Sequence, residues 1–200
     1  MCKMAHKAFF ISFCLLLTGC PAKAQQMSLS TNLIDWANLG TVNAQAGVSL
    51  GRHVSLHAAA RYNPWRFSHG EDGARFQNCA RTAALSMRWW PWNVYSSWWA
   101  GARLQMEEYN RGGLFGVQRT EEGLACGAGI GAGYSRMLTG HLNLDMGLGL
   151  WGGRTRYTLY RCPRCGRILS DERTGESVKD ARRWFLLPSS DVQVSLIYVF

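Results

Sequence analysis

Apolar and polar residues alternate with a period of two in eight separate runs, and no other feature of this chain constrains its fold as tightly. A strand sends successive side chains to opposite faces, so this period specifies extended chain with one apolar face; an amphipathic helix would need a 3.6-residue repeat. The runs cover Leu29–Trp36, Asn43–Leu50, Val54–Tyr62, Cys79–Trp89, Trp98–Glu107, Gly123–Tyr134, Leu142–Leu150 and Val192–Phe200. In the seventh, Leu142, Leu144, Met146, Leu148 and Leu150 oppose Asn143, Asp145, Gly147 and Gly149. The sixth sets Leu124, Cys126, Ala128, Ile130 and Ala132 against a face made almost wholly of glycine. Each run approaches the roughly 9–11 residues that a tilted strand needs to cross a bilayer. No apolar run of helical membrane-spanning length follows residue 24.

Alternation by itself also fits a soluble sandwich, whose apolar face turns inward. Three further features favour a membrane barrel. Connections sort by parity: Gly51–His53, Pro91–Ser96 and Met137–His141 are short, while Asn63–Asn78, Glu108–Glu121 and Gly153–Ser190 are long, the short Ala37–Thr41 on the long-loop side being the exception. Short turns at one end and long loops at the other is the outer-membrane arrangement. Aromatic residues collect at strand ends. Trp89, Trp90, Trp92, Tyr95, Trp98 and Trp99 surround one short turn, and Trp36, Tyr62, Trp65, Trp151 and Tyr157 mark the other end, as in two interfacial belts. The final run, Val192 to Phe200, ends on phenylalanine, the form of a closing barrel strand.

These features predict an all-β, eight-stranded antiparallel up-and-down transmembrane β-barrel. Closure satisfies every backbone group without leaving an edge in lipid. A lumen of eight strands is just filled by side chains. By parity, His57, Arg61, Arg88, Arg103, Glu107, Asp145 and Asp191 point inward, which predicts a polar plug and argues against an open pore. The glycine face of the sixth run is expected to admit bulky inward neighbours such as Arg103 or Trp151.

Residues 1–24 read as an export signal preceding a barrel domain over 25–200. Lys3 and Lys7 precede the apolar stretch Ala8–Leu17, and Ala22-Lys23-Ala24 offers a small-x-small cleavage site. Leu17-Thr18-Gly19-Cys20 competes as a lipobox; cleavage after Ala24 is the preferred reading, and either route exports the chain to the outer membrane. Removal of the signal takes three lysines and no acids, leaving 19 basic against 13 acidic residues, a charge of +6. It also leaves Cys79, Cys126, Cys162 and Cys165, an even number that permits disulfides.

The segments Ser30-Thr31-Asn32-Leu33-Ile34-Asp35-Trp36, Gly40-Thr41-x-Asn43, Arg61-Tyr62-Asn63-Pro64-Trp65 and Ser195-Leu196-Ile197-Tyr198-Val199-Phe200 resemble a Bacteroidota family, the domain of unknown function 3575. The resemblance covers nearly all the exported chain. It implies a small outer-membrane barrel similar to the transmembrane domain of outer-membrane protein A, with no established activity and no catalytic residues to carry over. It also implies a role in surface assembly or adhesion beside fimbrial-type surface proteins.

Two local constellations remain. Cys162-Pro163-Arg164-Cys165-Gly166 forms a knuckle whose thiolates could face one tetrahedral centre. A zinc ribbon needs two such knuckles and the chain has one, so a local disulfide or thiol pair is the first reading, zinc shared with a partner the second, and redox chemistry the third. The same segment, the expected external loop 153–190, carries nine basic against four acidic residues. A solvated loop explains this charge; so does contact of Arg161, Arg164 and Arg167 with lipopolysaccharide phosphates, which guanidinium forks suit. Nucleic acid is excluded by compartment. Lipid-A modification, with His69 beside Ser68 and Glu71, is the enzymatic alternative to a non-enzymatic barrel presenting surface loops; sequence adjacency does not build a triad. For the knuckle, the oxidised purified barrel is expected to gain two protons on reduction and to hold no zinc, as intact mass and metal analysis would register; stoichiometric zinc would overturn the thiol reading.

Overall fold

The computed structural model describes residues 27–38, 40–69, 74–112, 119–161, 168–170, 178–188 and 192–200. Ten strands and one short helix succeed one another: β1 (Met27–Asn32), α1 (Leu33–Ala37), β2 (Val42–Ser49), β3 (Val54–Asn63), β4 (Arg66–His69), β5 (Ala74–Trp89), β6 (Ser97–Gly112), β7 (Thr120–Met137), β8 (Leu142–Tyr160), β9 (Ala181–Pro188) and β10 (Gln193–Val199). Their antiparallel pairing runs β1-β2-β3-β5-β6-β7-β8-β10 and returns from β10 to β1. The expected eight-stranded barrel is therefore closed. No helix among the described residues is long and apolar enough to cross a membrane, which leaves crossing by strands untouched.

The two faces of the wall are inverted relative to a soluble protein. Outside, Leu104, Ile130 and Leu148 are 63%, 67% and 63% exposed; inside, Ser55, Asp145 and Ser135 are 0%, 0% and 1% exposed. An apolar exterior around a polar interior is the pattern of a barrel solvated by lipid. The predicted inward positions His57, Arg61, Arg88, Arg103, Glu107 and Asp145 all lie on the inner face, while Asp191 lies outside the described residues.

Four expectations need correction. The first run does not extend to Trp36: β1 stops at Asn32, whose side-chain oxygen accepts from the Ile34 N–H at 3.2 Å and caps α1. Strand extends into the long connections, since β5, β6, β7 and β8 run for 16, 16, 18 and 19 residues. Toward that end alternation stops while pairing continues. Oppositely charged partners take over there, as in Arg81↔Glu108 and Arg111↔Glu121. The eighth strand is divided, with β10 pairing the lower part of β8 (Gln193↔Gly147) and β9 the upper part (Pro188↔Leu150 to Ala181↔Tyr157). Finally, the aromatic belts separate by face. Trp89, Trp92 and Trp98 point outward, but Trp90, Tyr95, Trp99 and Trp151 are buried in the lumen. Outward-facing Trp184, 70% exposed, joins the far belt instead.

The glycine-rich face is a mould for one ring. A Cβ on Gly133 or Gly147 would lie 2.6 or 2.7 Å from Cζ2 of Trp99, so both strands must present hydrogen atoms there. Trp99 against Gly133 and Gly147, and Trp151 against Gly129, are bulky residues that glycine admits. Gly147→Ala should lower stability by about 1–3 kcal/mol through overpacking, whereas Gly140→Ala, with nothing within 4 Å, should be neutral. Urea midpoints followed by heat-dependent gel mobility would distinguish them; equal midpoints would disprove the mould.

Candidate functional site

Residues from four strands meet at mid-lumen. Asp145 on β8 receives Arg88 Nη1 from β5 at 2.9 Å, Gln193 Nε2 from β10 at 2.6 Å and Trp99 Nε1 from β6 at 2.7 Å. The Arg88 guanidinium lies 4.1 Å above the Trp99 ring and also donates to Gln193 Oε1 at 3.4 Å. Removing a carboxylate and a guanidinium from water is expensive, and such a pair survives only when its remaining lone pairs and protons are used. Here three donors meet the carboxylate.

Below this centre the short-turn end is closed by its own connection. The segment Trp90–Ser96 folds into the barrel, with Tyr95 and Ser97 in left-handed backbone at φ 64° and 71°. Trp90, Val94 and Tyr95 pack with Trp99 and Ile197. Trp90 Nε1 donates to Ser55 Oγ at 2.8 Å, Ser28 Oγ donates to the Tyr95 hydroxyl at 2.9 Å, and Asn143 Nδ2 donates to the Tyr95 carbonyl at 2.8 Å. Burial pushes the Tyr95 phenol above its ordinary pKa, which keeps the hydroxyl protonated. His57 is held between Gln45 (3.1 Å) and Ser55 (2.8 Å).

The opposite end opens into a vestibule of about 740 Å³. Tyr109 from β6 organises one wall by donating to Glu121 at 2.6 Å and meeting Thr155 Oγ1 at 2.9 Å. Arg183 on β9 donates to the same Glu121 at 2.8 Å, Arg111 pairs with Glu107, and Arg61 lies 3.1 Å from Asp35 of α1. The floor is apolar, with Phe185 edge-on to Trp151 at 4.6 Å between centroids. The β-strand ladder is incomplete on one side: β1 gives way to α1, and among the described residues β9 pairs with β8 alone.

The predicted site residues are placed as follows. Arg161 is exposed just beyond the end of β8, whereas Cys162, Arg164, Cys165 and Arg167 lie outside the described residues. Arg154 and Arg156 belong to β8 and face outward, and Arg154 stacks 4.3 Å from the Trp184 ring. His69 and Ser68 are in β4, and Glu71 lies outside the described residues. His53 and His141 bind the backbone carbonyls of Trp90 and Val199, each at 3.0 Å, at the short-turn end. Cys79 and Cys126, on β5 and β7, do not pair; Cys79 Sγ faces the Trp65 carbonyl at 3.6 Å. No group of three His, Cys, Asp or Glu side chains able to hold a metal occurs among the described residues.

The vestibule set of Tyr109, Glu121 and Arg183 escaped the sequence reading because those positions were assigned to strand ends and loops. Opposite charges at the ends of long hairpins were the available signal. For the plug, Asp145→Ala should destabilise the barrel by about 3–5 kcal/mol, because it leaves Arg88 buried without its partner. Adding Arg88→Met should restore part of that loss. Urea midpoints would record both effects, and a single variant as stable as the parent would refute the plug's structural role.

No curated protein matches this chain, and no solved structure matches it. Residues 9–200 match the family described as "Protein of unknown function (DUF3575)", nearly the whole chain. With its closed eight-stranded fold, plugged lumen and open vestibule, the chain is a member of the DUF3575 family.

Proposed function

We propose that this protein is a non-enzymatic outer-membrane barrel that anchors itself in lipid and presents its long-hairpin end at the cell surface. The observation that carries this reading is the pairing of an apolar exterior with a lumen blocked at Asp145. The exterior suits burial in a bilayer, and the blocked lumen suits an anchor better than a conduit. The asymmetry of the ends supports the orientation, because short turns belong on the periplasmic side and long hairpins outside. Residues 1–24 supply the export signal in this reading.

The surface end would act in structural support, assembly or adhesion, with fimbrial-type or other surface proteins as partners. Its arginines, Arg161, Arg164 and Arg167 foremost, would contact phosphates of the surrounding lipopolysaccharide. The Arg154–Trp184 stack supports an interfacial setting, since an aromatic ring and a guanidinium both suit the headgroup layer. An epitope inserted after Lys179 should bind antibody on intact cells, and the purified barrel should give no stepwise conductance in planar bilayers. Recovery in the soluble periplasm, antibody binding only after permeabilisation, or a stable open channel would overturn the proposal.

A further inference from the structure

We propose that the vestibule binds an acidic saccharide, either free or carried as the headgroup of a glycolipid in the adjoining leaflet. Its volume of about 740 Å³ falls within the roughly 300–1,000 Å³ of small-ligand pockets. The polar lining selects among ligand classes. Four guanidinium groups, Arg61, Arg111, Arg119 and Arg183, face three carboxylates, Asp35, Glu107 and Glu121. A dianionic phosphoester group, which has no hydroxyl to donate, would meet only repulsion from those carboxylates, while a neutral apolar ligand would leave every charge without use. A ring bearing both hydroxyls and one acidic group answers both signs: hydroxyls donate to carboxylates, and the acid meets the excess positive charge. Arg119 is the guanidinium best placed to supply it, because it is exposed and the other three each have an acidic partner.

Gln105 is the independent observation. It is 6% exposed, lines the vestibule, and its Oε1 has no hydrogen-bond partner among the described residues. A buried acceptor requires a donor. Carboxylate and dianionic phosphate oxygens offer none, whereas a sugar hydroxyl does. Phe185, half-buried and edge-on to Trp151, gives the C–H face of a sugar ring an apolar surface to lie on. The wall is already ordered by the Tyr109–Glu121–Arg183 bonds, so binding need not freeze it. Because no strand among the described residues flanks the outer edge of β9, a ring tethered to a lipid could enter from the side as well as from above.

The test uses the full chain refolded in detergent and in nanodiscs, with folding confirmed by heat-dependent gel mobility. Trigalacturonate should bind, by calorimetry, with a Kd at or below ~1 mM. Arg119→Gln, a change at an exposed position, should weaken it about tenfold, and Gln105→Leu should weaken it several-fold. Maltotriose and sodium phosphate should each bind far more weakly. In nanodiscs, competition by a glucuronic-acid-headed lipid but not by phosphatidylglycerol would identify the lipid-borne source; free trigalacturonate binding without that competition would identify the soluble one. The inference fails if folded protein does not bind trigalacturonate, if maltotriose or phosphate binds as tightly, or if neither variant changes affinity. Binding is read on purified protein, so its failure is separate from any failure of the surface location.

Discussion

A single carboxylate, that of Asp145, joins half of the barrel's strands across the lumen. Its acceptor capacity is used by Arg88, Trp99 and Gln193, and through them β5, β6 and β10 are tied to β8. The rest of the interior follows from this placement. Trp99 must lie flat under the guanidinium, so Gly133 and Gly147 must give it room. The turn carrying Trp90 and Tyr95 then fills the space beneath, and the vestibule occupies what remains above. A barrel of this strand number has space for one such stack of side chains.

The lower half of the molecule was legible in the sequence because two demands coincide there. An apolar exterior and a polar plug share the same wall, so period two is written plainly from Leu142 to Leu150 and from Val54 to Tyr62. The inward placement of Arg88 and Asp145 could be read from parity alone, although their partnership could not. The upper half was illegible for the opposite reason. At that end neither face is uniformly apolar, and the ladder from Gly153 to Tyr160 carries on through Arg154, Thr155 and Arg156 without an alternating signature. Tryptophan misled where composition stood in for direction: Trp90 and Trp99 lie near an interface in sequence yet point into the lumen, where their indole N–H groups find Ser55 and Asp145.

The two ends of the barrel embody different chemistry. At the short-turn end polar groups such as Ser28, Ser55 and Asn143 are paired internally and enclosed by aromatic rings, which makes the end a stopper. At the other, ion pairs such as Arg61–Asp35 and Arg183–Glu121 stand around open volume on walls of unequal height. The chain belongs to a family of unknown function, and of its two ends this is the one that leaves space inside the barrel.

The division of the eighth strand has a kinetic consequence. Hairpins β2–β3, β6–β7 and β7–β8 join neighbours in the chain, but β1 meets β10 across a separation of more than 160 residues, bonded from Val194 N–H to Asn32 Oδ1. Such a pairing carries the largest loop-closure entropy in the molecule and is favoured to form late. Gln193 stands at the start of that same strand, which also pairs with β8, so Asp145 holds its third donor once β10 has joined β8, before β1 closes the cylinder. Sealing the wall at β1 is then a step separate from locking the plug, and a barrel opened at that seam would keep the Gln193–Asp145 bond at its centre.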